Sequence, residues 1–347
     1  MLLSFCRRIT ATVIRASICL TSLALMHCAP ANSAAADTEL SNAALPTTVQ
    51  SASGRTATQA RYIRQIIGAT GATTDPAKVY ELHNLIHRSA DHETADALVR
   101  VPNDLDPTRS IKLVIYNHGF GTNVKSIYSD SRLGDQMRAA DKNTVLVLPE
   151  WQAQADSRKG FQGRFSEAGM FRDMLKEILS LTPELTAKKL GDVSEIYIAA
   201  HSAGYGPTMT EIYKNGLDGK IRSIALLDAL YTDDGFSNWL MSNLNALRQG
   251  KKRFYNVFFD STRDHSKEQA ALIQKLWPAD KGREAGLLLD YSDSDRVLQA
   301  GDLRGKSAVF IYSAKSVDGL DQHFAIPRLY FGTLLEASQQ FKKQPER

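Results

Sequence analysis

Cysteine is missing from this chain beyond residue 28. The sequence has 347 residues and three cysteines, Cys6, Cys19 and Cys28, all near the N-terminus. The remainder therefore cannot form a disulfide bond, and it offers neither a thiol nucleophile nor a thiolate ligand for a metal ion. Any nucleophile in the body of the chain must be an oxygen or a nitrogen.

A large excess of one charge is missing too. The net charge is +4, with 42 basic and 38 acidic residues, and three of the basic residues are Arg7, Arg8 and Arg15. The residues that follow are therefore close to neutral as a group, so no nucleic-acid partner is expected. Internal repeats and long low-complexity tracts are absent from the sequence as well.

Long apolar runs are the third feature that the sequence lacks. The apolar stretch 16–28 is too short for a membrane span. It follows a basic segment and precedes a run of small residues, which is the order of a secretory signal peptide. We therefore predict a leader over 1–36, export to the periplasm or the medium, and no stable membrane span after its removal. Lipoprotein anchoring through Cys28 is the less favoured alternative.

Residues 37–74 are rich in Ala, Ser and Thr, which predicts a flexible arm with a short helix over 57–67. Over 75–347, short apolar runs alternate with amphipathic ones, the pattern of one α/β domain whose mainly parallel sheet is flanked by helices. The segment 231–252 is expected to form either a small helical cap over the site or a helix packed on the sheet. The predicted strands are 97–101, 112–116, 144–148, 195–199, 221–227, 254–259 and 308–312. The predicted helices are 166–181, 204–215 and 326–341.

The motif most informative about chemistry is Ala200-His201-Ser202-Ala203-Gly204, at the junction of a predicted strand and a predicted helix. A serine on such a sharp turn needs small residues two positions away on either side, so that the backbones can approach. Ser202 is the only serine of the chain that glycine follows two residues later. The motif predicts a nucleophile elbow with Ser202 as nucleophile, at a helix N-terminus that favours a developing anion.

A second motif, His118-Gly119-Phe120-Gly121, ends another apolar run. Acyl transfer requires two preorganised N–H donors for the oxyanion of the tetrahedral intermediate. Here these would be the backbone N–H groups of Phe120 and Ala203, which we predict as the oxyanion hole. The alternative is an ordinary turn that contains two glycines.

These residues carry a resemblance to a known family. From about residue 97 onward the sequence resembles the α/β-hydrolases, through Val101-Pro102, the strand that ends in His-Gly, and the serine elbow. The combination resembles secreted esterase and polyester-depolymerase-like branches, although Ala200 stands where glycine is usual. The resemblance implies the α/β-hydrolase fold, a chain order of serine, acid and histidine, and a base shortly after the last strand.

That order leaves two candidates for the general base, because only His265 and His323 follow Ser202 in the chain. His323 lies between the last predicted strand and the terminal helix, where a base reaches over the carboxyl edge of the sheet. We therefore predict His323 as the base, placed in a loop. The alternative is a solvated loop histidine.

The acid is chosen among three aspartates. Asp228 directly follows the predicted strand 221–227, and its neighbours are Leu and Ala. A carboxylate is costly to bury in such surroundings, which favours a functional role for Asp228. The runner-up is Asp264, followed by Asp260, because both lie after the next strand, where the family more often places its acid.

The remaining signals are weaker. His83 and His87 have the spacing of zinc ligands on a helix, but the sequence offers no third ligand, so we predict neither a metal site nor a cofactor. Trp151 follows the strand 144–148 and would either line a substrate pocket or pack in the core.

The sequence thus predicts a serine hydrolase that cleaves a carboxylic ester, with a small-molecule or acyl-ester substrate. Two alternatives share the motifs: a serine peptidase or amidase that acts on cell-envelope material, and a non-catalytic binding protein on a hydrolase scaffold.

Overall fold

The computed structural model describes residues 49–50, 56–57, 61–66, 76–90, 94–151, 163–232, 234–277, 286–292 and 296–340. All of them belong to one unit of the chain, Asp37–Arg347. The predicted leader, with Cys28, lies outside the described residues.

The strands alternate with helices along most of the chain. The strands are β1 (Val49–Gln50), β2 (Thr56–Ala57), β3 (Tyr62–Ile66), β4 (Ala77–His83), β5 (Ala97–Pro102), β6 (Ile111–Asn117), β7 (Thr144–Pro149), β8 (Val193–His201), β9 (Ile221–Leu227), β10 (Arg253–Phe258), β11 (Leu287–Asp290) and β12 (Ala308–Tyr312). The helices are α1 (Val124–Asp130), α2 (Leu133–Gln136), α3 (Met170–Leu181), α4 (Tyr205–Lys214), α5 (Asp234–Ser242), α6 (Leu244–Arg248), α7 (Arg263–Leu276) and α8 (Gln322–Gln340).

Within the described residues, ten of these strands form one sheet in the order β11-β12-β10-β9-β8-β6-β7-β5-β4-β3. The strands from β11 to β7 in this order are parallel, while β5, β4 and β3 continue the sheet in antiparallel pairs. All seven predicted strands are present, and the mainly parallel sheet confirms the predicted fold class. The high content of Val, Ile, Leu and Tyr in β6, β8 and β9 reflects burial on both faces of the sheet.

Helices cover both faces of this sheet. Apolar side chains of α3 to α7 join a core cluster on one face, and those of α1, α2 and α8 join a second cluster on the other. Parallel strands joined by helical crossovers have their carboxyl ends at one edge. Residues that follow β6, β8 and β9 therefore meet at that edge, which is where the sequence motifs lie.

The predicted helix over 57–67 is wrong. Residues 62–66 form β3, which pairs with β4 in antiparallel register from Tyr62 opposite His83 to Ile66 opposite Val79. Ile63 packs against one core cluster and Ile66 against the other, so pairing and packing decide the conformation here. The sheet thus begins upstream of the predicted domain start at residue 75.

Two further expectations need correction. The excursion 231–252 is helical, but Phe236, Trp239 and Leu247 are buried in the core cluster that also contains Phe254, so the helices pack on the sheet instead of forming a cap. The terminal helix α8 starts four residues earlier than predicted, at Gln322. His323 accordingly lies in its first turn and not in a loop.

Candidate active site

Ser202 lies on a sharp turn between β8 and α4. Its backbone φ is +53°, in the left-handed region that a residue with a side chain seldom adopts. A single 3-10 turn, Ser202–Gly204, leads into α4. The local conformation is that of a nucleophile elbow, in which strain in the backbone exposes the serine side chain at the edge of the sheet.

Gly204 makes this turn possible. A Cβ added to Gly204 would lie 2.8 Å from the carbonyl carbon of Asn117 and 3.0 Å from the carbonyl oxygen of His118, and closer still to the Asn117 oxygen. All of these are backbone atoms, which cannot rotate away. The absence of a side chain at Gly204 therefore lets the elbow lie directly against the end of β6.

The loop after β6 lies beside the serine. A Cβ on Gly119 would be 3.0 Å from Ser202 Cβ, so the backbone of this loop is in contact with the elbow. Phe120 lines the cleft in front of Ser202, and Ala203, at the start of the helix, is partly buried against the core. The structure thus brings together the two segments that carry the predicted oxyanion donors.

His323 and Asp228 form a close pair. His323 Nδ1 donates a hydrogen bond of 2.6 Å to Asp228 Oδ2, and the side chain of Asp228 is fully buried. With its proton on Nδ1, the ring has Nε2 free to accept a proton. Ser202 and His323 line the same cleft. Serine, histidine and a buried aspartate are therefore gathered at one edge of the sheet.

Asp228 is held by donors from the loop after β10. Phe259 N–H donates 3.0 Å to Oδ1, Ser261 Oγ donates 3.0 Å to Oδ2, and Thr262 Oγ1 also donates to Oδ1. Burial raises the pKa of Asp228, but the hydrogen bonds from His323, Thr262 and Phe259 outweigh it and hold this pKa below its ordinary value. Asp228 is therefore a preorganised anion beside the histidine.

The runner-up acids lie elsewhere. Asp264 is exposed in the first turn of α7, and Asp260 is exposed, accepts a 2.9 Å hydrogen bond from Tyr312 and pairs with Arg263. His265, the other candidate base, is also exposed on α7. The loop that was expected to supply an alternative acid instead supplies the donors that hold Asp228.

His201, next to the nucleophile, has a role that the sequence did not reveal. Its Nε2 lies 3.1 Å from the backbone oxygen of His323, and because a carbonyl only accepts, Nε2–H is the donor. Burial, with His323 as the next cause, lowers the pKa of His201 to about 3. This buried, neutral ring therefore links the elbow to the backbone of the base, and the rings of His201 and His323 are 4.5 Å apart.

The cleft in front of Ser202 has a volume of about 220 Å³. Two exposed aromatic side chains, Phe120 and Phe324, line it together with Leu320, and Arg328 contributes a charged group. None of the described residues of 231–252 lines this cleft.

Trp151 does not line this cleft either. It is fully buried and stacks on His118 with ring centroids 4.9 Å apart, which corresponds to the packing alternative. Beside it, Glu150 is a second residue that the sequence did not single out, because a glutamate at the end of a strand has no distinctive pattern.

The two histidines with zinc-ligand spacing make different contacts. His83 stacks on Tyr62 at the end of β4, whereas His87 contacts Glu177 through Nδ1 at 2.9 Å. In the part of the chain that the structure describes, no group of three His, Cys, Asp or Glu side chains is arranged to hold a metal ion. Among the same residues, no helix is both long enough and apolar enough to cross a membrane.

No family model matches the sequence, and no curated protein sequence matches it either. Several solved structures are similar in chain fold. A feruloyl esterase module from Clostridium thermocellum aligns with a TM-score of 0.46 at 14% identity, over 90% of this chain and 100% of that one. The fluorophosphonate-binding serine hydrolase FphF of Staphylococcus aureus gives 0.46 at 9% identity, over 76% of this chain and 98% of that one. An S-formylglutathione hydrolase from Agrobacterium tumefaciens gives 0.39 at 11% identity, over 81% and 95%. At TM-scores below 0.5, none of them bears on what this chain acts upon.

Proposed function

We propose that this chain, whose mainly parallel sheet and helical crossovers are those of the α/β-hydrolase fold, is a serine hydrolase that cleaves carboxylic esters. One observation carries the proposal. A histidine with a buried aspartate on Nδ1 lines the same cleft as a serine whose φ is +53°. This is the arrangement that acyl transfer through a serine nucleophile requires.

The mechanism follows from these positions. His323 Nε2 accepts the proton of Ser202 Oγ as the oxygen attacks the carbonyl carbon of the ester. The N–H groups of Phe120 and Ala203 stabilise the oxyanion, and Asp228 stabilises the imidazolium. His323 then protonates the leaving alkoxide, which departs as an alcohol. Water, activated by the same histidine, hydrolyses the acyl-enzyme and releases the acid.

The shape of the cleft supports a small substrate. Its volume of about 220 Å³ is below the ~300–1,000 Å³ of pockets for drug-sized ligands. The aromatic side chains of Phe120 and Phe324 favour an apolar acyl or aryl group. A series of p-nitrophenyl esters of increasing chain length measures this preference, and a matching series of anilides separates esterase from amidase activity.

The first test is labelling with a fluorophosphonate, which reacts covalently with an activated serine. The wild type should label, Ser202→Ala should abolish labelling, and His323→Ala should reduce it strongly. A folded wild type that neither labels nor hydrolyses any ester would refute the proposal and leave the binding-protein alternative.

The acid is tested by a matched pair of substitutions. Asp228→Asn removes the charge that stabilises the imidazolium, and we expect kcat to fall by ~10³–10⁴-fold. Asp264→Asn, the same change at the exposed runner-up, should leave kcat within about twofold of the wild type, because surface substitutions usually perturb the structure very little. The reverse ranking would exclude Asp228 as the acid.

Export is the second part of the proposal. It rests on the order of basic, apolar and small residues over 1–36. Expression in a bacterial host followed by N-terminal sequencing of the periplasmic protein tests it, and an intact N-terminus on cytoplasmic protein would contradict it. Labelling by radioactive palmitate would instead support lipid attachment at Cys28.

A further inference from the structure

Glu150 connects the two ends of the loop that carries Phe120. Its Oε1 lies 3.0 Å from His118 Nε2, and its Oε2 accepts a 2.9 Å hydrogen bond from the backbone N–H of Val124 at the start of α1. The side chains of His118 and Glu150 are 0% and 2% exposed. A buried carboxylate is retained at a cost unless it has good partners, and here both oxygens are used.

The other nitrogen of His118 fixes the direction of a further hydrogen bond. His118 Nδ1 lies 2.9 Å from the backbone oxygen of Gly119. Since a carbonyl oxygen can only accept, Nδ1 carries a proton and donates it. Trp151 stacks on the ring, so that the contact to Glu150 and this stacking together hold Nδ1 on the Gly119 oxygen.

This donation acts on the peptide group whose other end is the N–H of Phe120. A hydrogen bond to a carbonyl polarises the amide and makes its N–H a stronger donor, and such cooperativity is larger in a buried environment. We propose that His118, oriented by Glu150, is a positioning residue that strengthens the Phe120 N–H as an oxyanion donor. Neither side chain touches the substrate. The inference rests on the proposed function, because it assigns a task in the oxyanion hole.

Two substitutions separate this role from simple packing. With its terminal amide turned to Glu150, the side chain of His118→Gln has no donor at the place from which Nδ1–H meets the Gly119 oxygen. Glu150→Gln is the conservative rescue, because its amide oxygen can accept from Val124 N–H and its NH₂ can donate to His118 Nε2, which leaves Nδ1–H on Gly119. If Glu150 acts by orienting the ring, Glu150→Gln should keep the hydrogen bond from His118 Nδ1–H to the Gly119 oxygen, and Glu150→Ala should lose it.

The chain contains a matched control. His87 contacts the buried Glu177 through Nδ1 at 2.9 Å, and Glu177 also accepts the backbone N–H of Ile86 at 2.9 Å. The same kind of histidine–glutamate pair therefore fixes a loop that carries no residue of the proposed site. His87→Gln should lower stability without changing kcat.

Two readouts are needed, one of them independent of turnover. Removing an oxyanion donor outright costs ~10²–10³ in kcat, so weakening one should cost less, about tenfold. We expect His118→Gln and Glu150→Ala to lower kcat about tenfold with KM within about twofold, and Glu150→Gln to stay within about threefold of the wild type. In the substrate-free protein, the amide proton of Phe120 should move upfield in the NMR spectrum of His118→Gln but not in that of His87→Gln.

Failure of this inference is distinguishable from failure of the proposed function. An active wild type whose kcat survives His118→Gln, or a loss of kcat that His87→Gln reproduces, would overturn the role of His118. If the wild type is inactive, the proposed function fails, and an unchanged Phe120 amide shift in His118→Gln overturns the inference by itself. If Glu150→Ala does not fold, the kcat values of Glu150→Gln and His118→Gln still test the role of His118.

Discussion

Replacing Gly204 by alanine is expected to destabilise the fold and displace the nucleophile together. The new Cβ would meet the backbone of Asn117 and His118 at 3.0 Å or less, and overpacking of this kind costs about 1–3 kcal/mol. Because these backbone atoms cannot rotate away, we expect a cost at the upper end of that range of about 1–3 kcal/mol. Gly204 has ordinary helical φ and ψ of −59° and −11°, so alanine gains up to ~1 kcal/mol of helix propensity. The expected net loss is about 2 kcal/mol.

The assay is urea unfolding at equilibrium, combined with the rate of fluorophosphonate labelling. The unfolding midpoint of Gly204→Ala should fall with an unchanged m-value, since the surface exposed on unfolding stays the same. Labelling should slow by at least about tenfold, because even displacements of about 1 Å at a reacting atom are costly.

Gly219 supplies the control for this experiment. It is exposed, its φ is outside the left-handed region, and no atom lies within 4 Å of an added Cβ. Gly219→Ala should therefore be neutral or stabilising by up to ~1 kcal/mol. Equal stability and labelling rates for Gly204→Ala and the wild type would refute the close approach of the elbow to β6.

Two other predictions concern strain and burial near the elbow. Because Ser202 has a φ of +53°, Ser202→Gly should be more stable than Ser202→Ala by about 1 kcal/mol in urea unfolding. As the control, Ala271→Gly in the exposed part of α7 should be destabilising. Equal stability of the two Ser202 variants would mean that the turn is unstrained. Burial raises the pKa of Glu211 from 4.5 to about 8, although a hydrogen bond from Asn117 acts in the opposite direction. The protonated carboxyl therefore contributes fully to folding stability below pH 4.5, and this contribution is lost as the pH rises through about 8. Glu211→Gln should flatten the pH dependence of unfolding over that window, and an unchanged slope would contradict the buried neutral carboxyl.

The parts of the fold that could be predicted are those whose local pattern agrees with their environment. Strands β6, β8 and β9 are buried on both faces, so their sequences are largely apolar. Strand β3 could not be predicted, because its conformation is set by pairing with β4, a contact that its own residues do not encode.

The candidate site divides in the same way. Ser202 could be predicted because a strained turn demands small neighbours in the sequence. The favoured position of Asp228 came from the cost of burying a carboxylate among leucines, a local argument that agrees with its contact to His323. Glu150 could not be found, because its significance lies in contacts with His118 and Val124 that only the folded chain brings together.

The hydrogen bonds that hold Asp228 have a consequence for how mutation can alter such a site. Two of the donors that hold this carboxylate, Ser261 and Thr262, lie just beyond the end of the neighbouring strand β10. Ser261 donates to Oδ2, the oxygen that also accepts from His323, and Thr262 donates to Oδ1. The ends of the adjacent strands β9 and β10 therefore meet at one carboxylate. A substitution in the loop after β10 can therefore alter the orientation and charge of this carboxylate without changing Ser202, His323 or Asp228 itself.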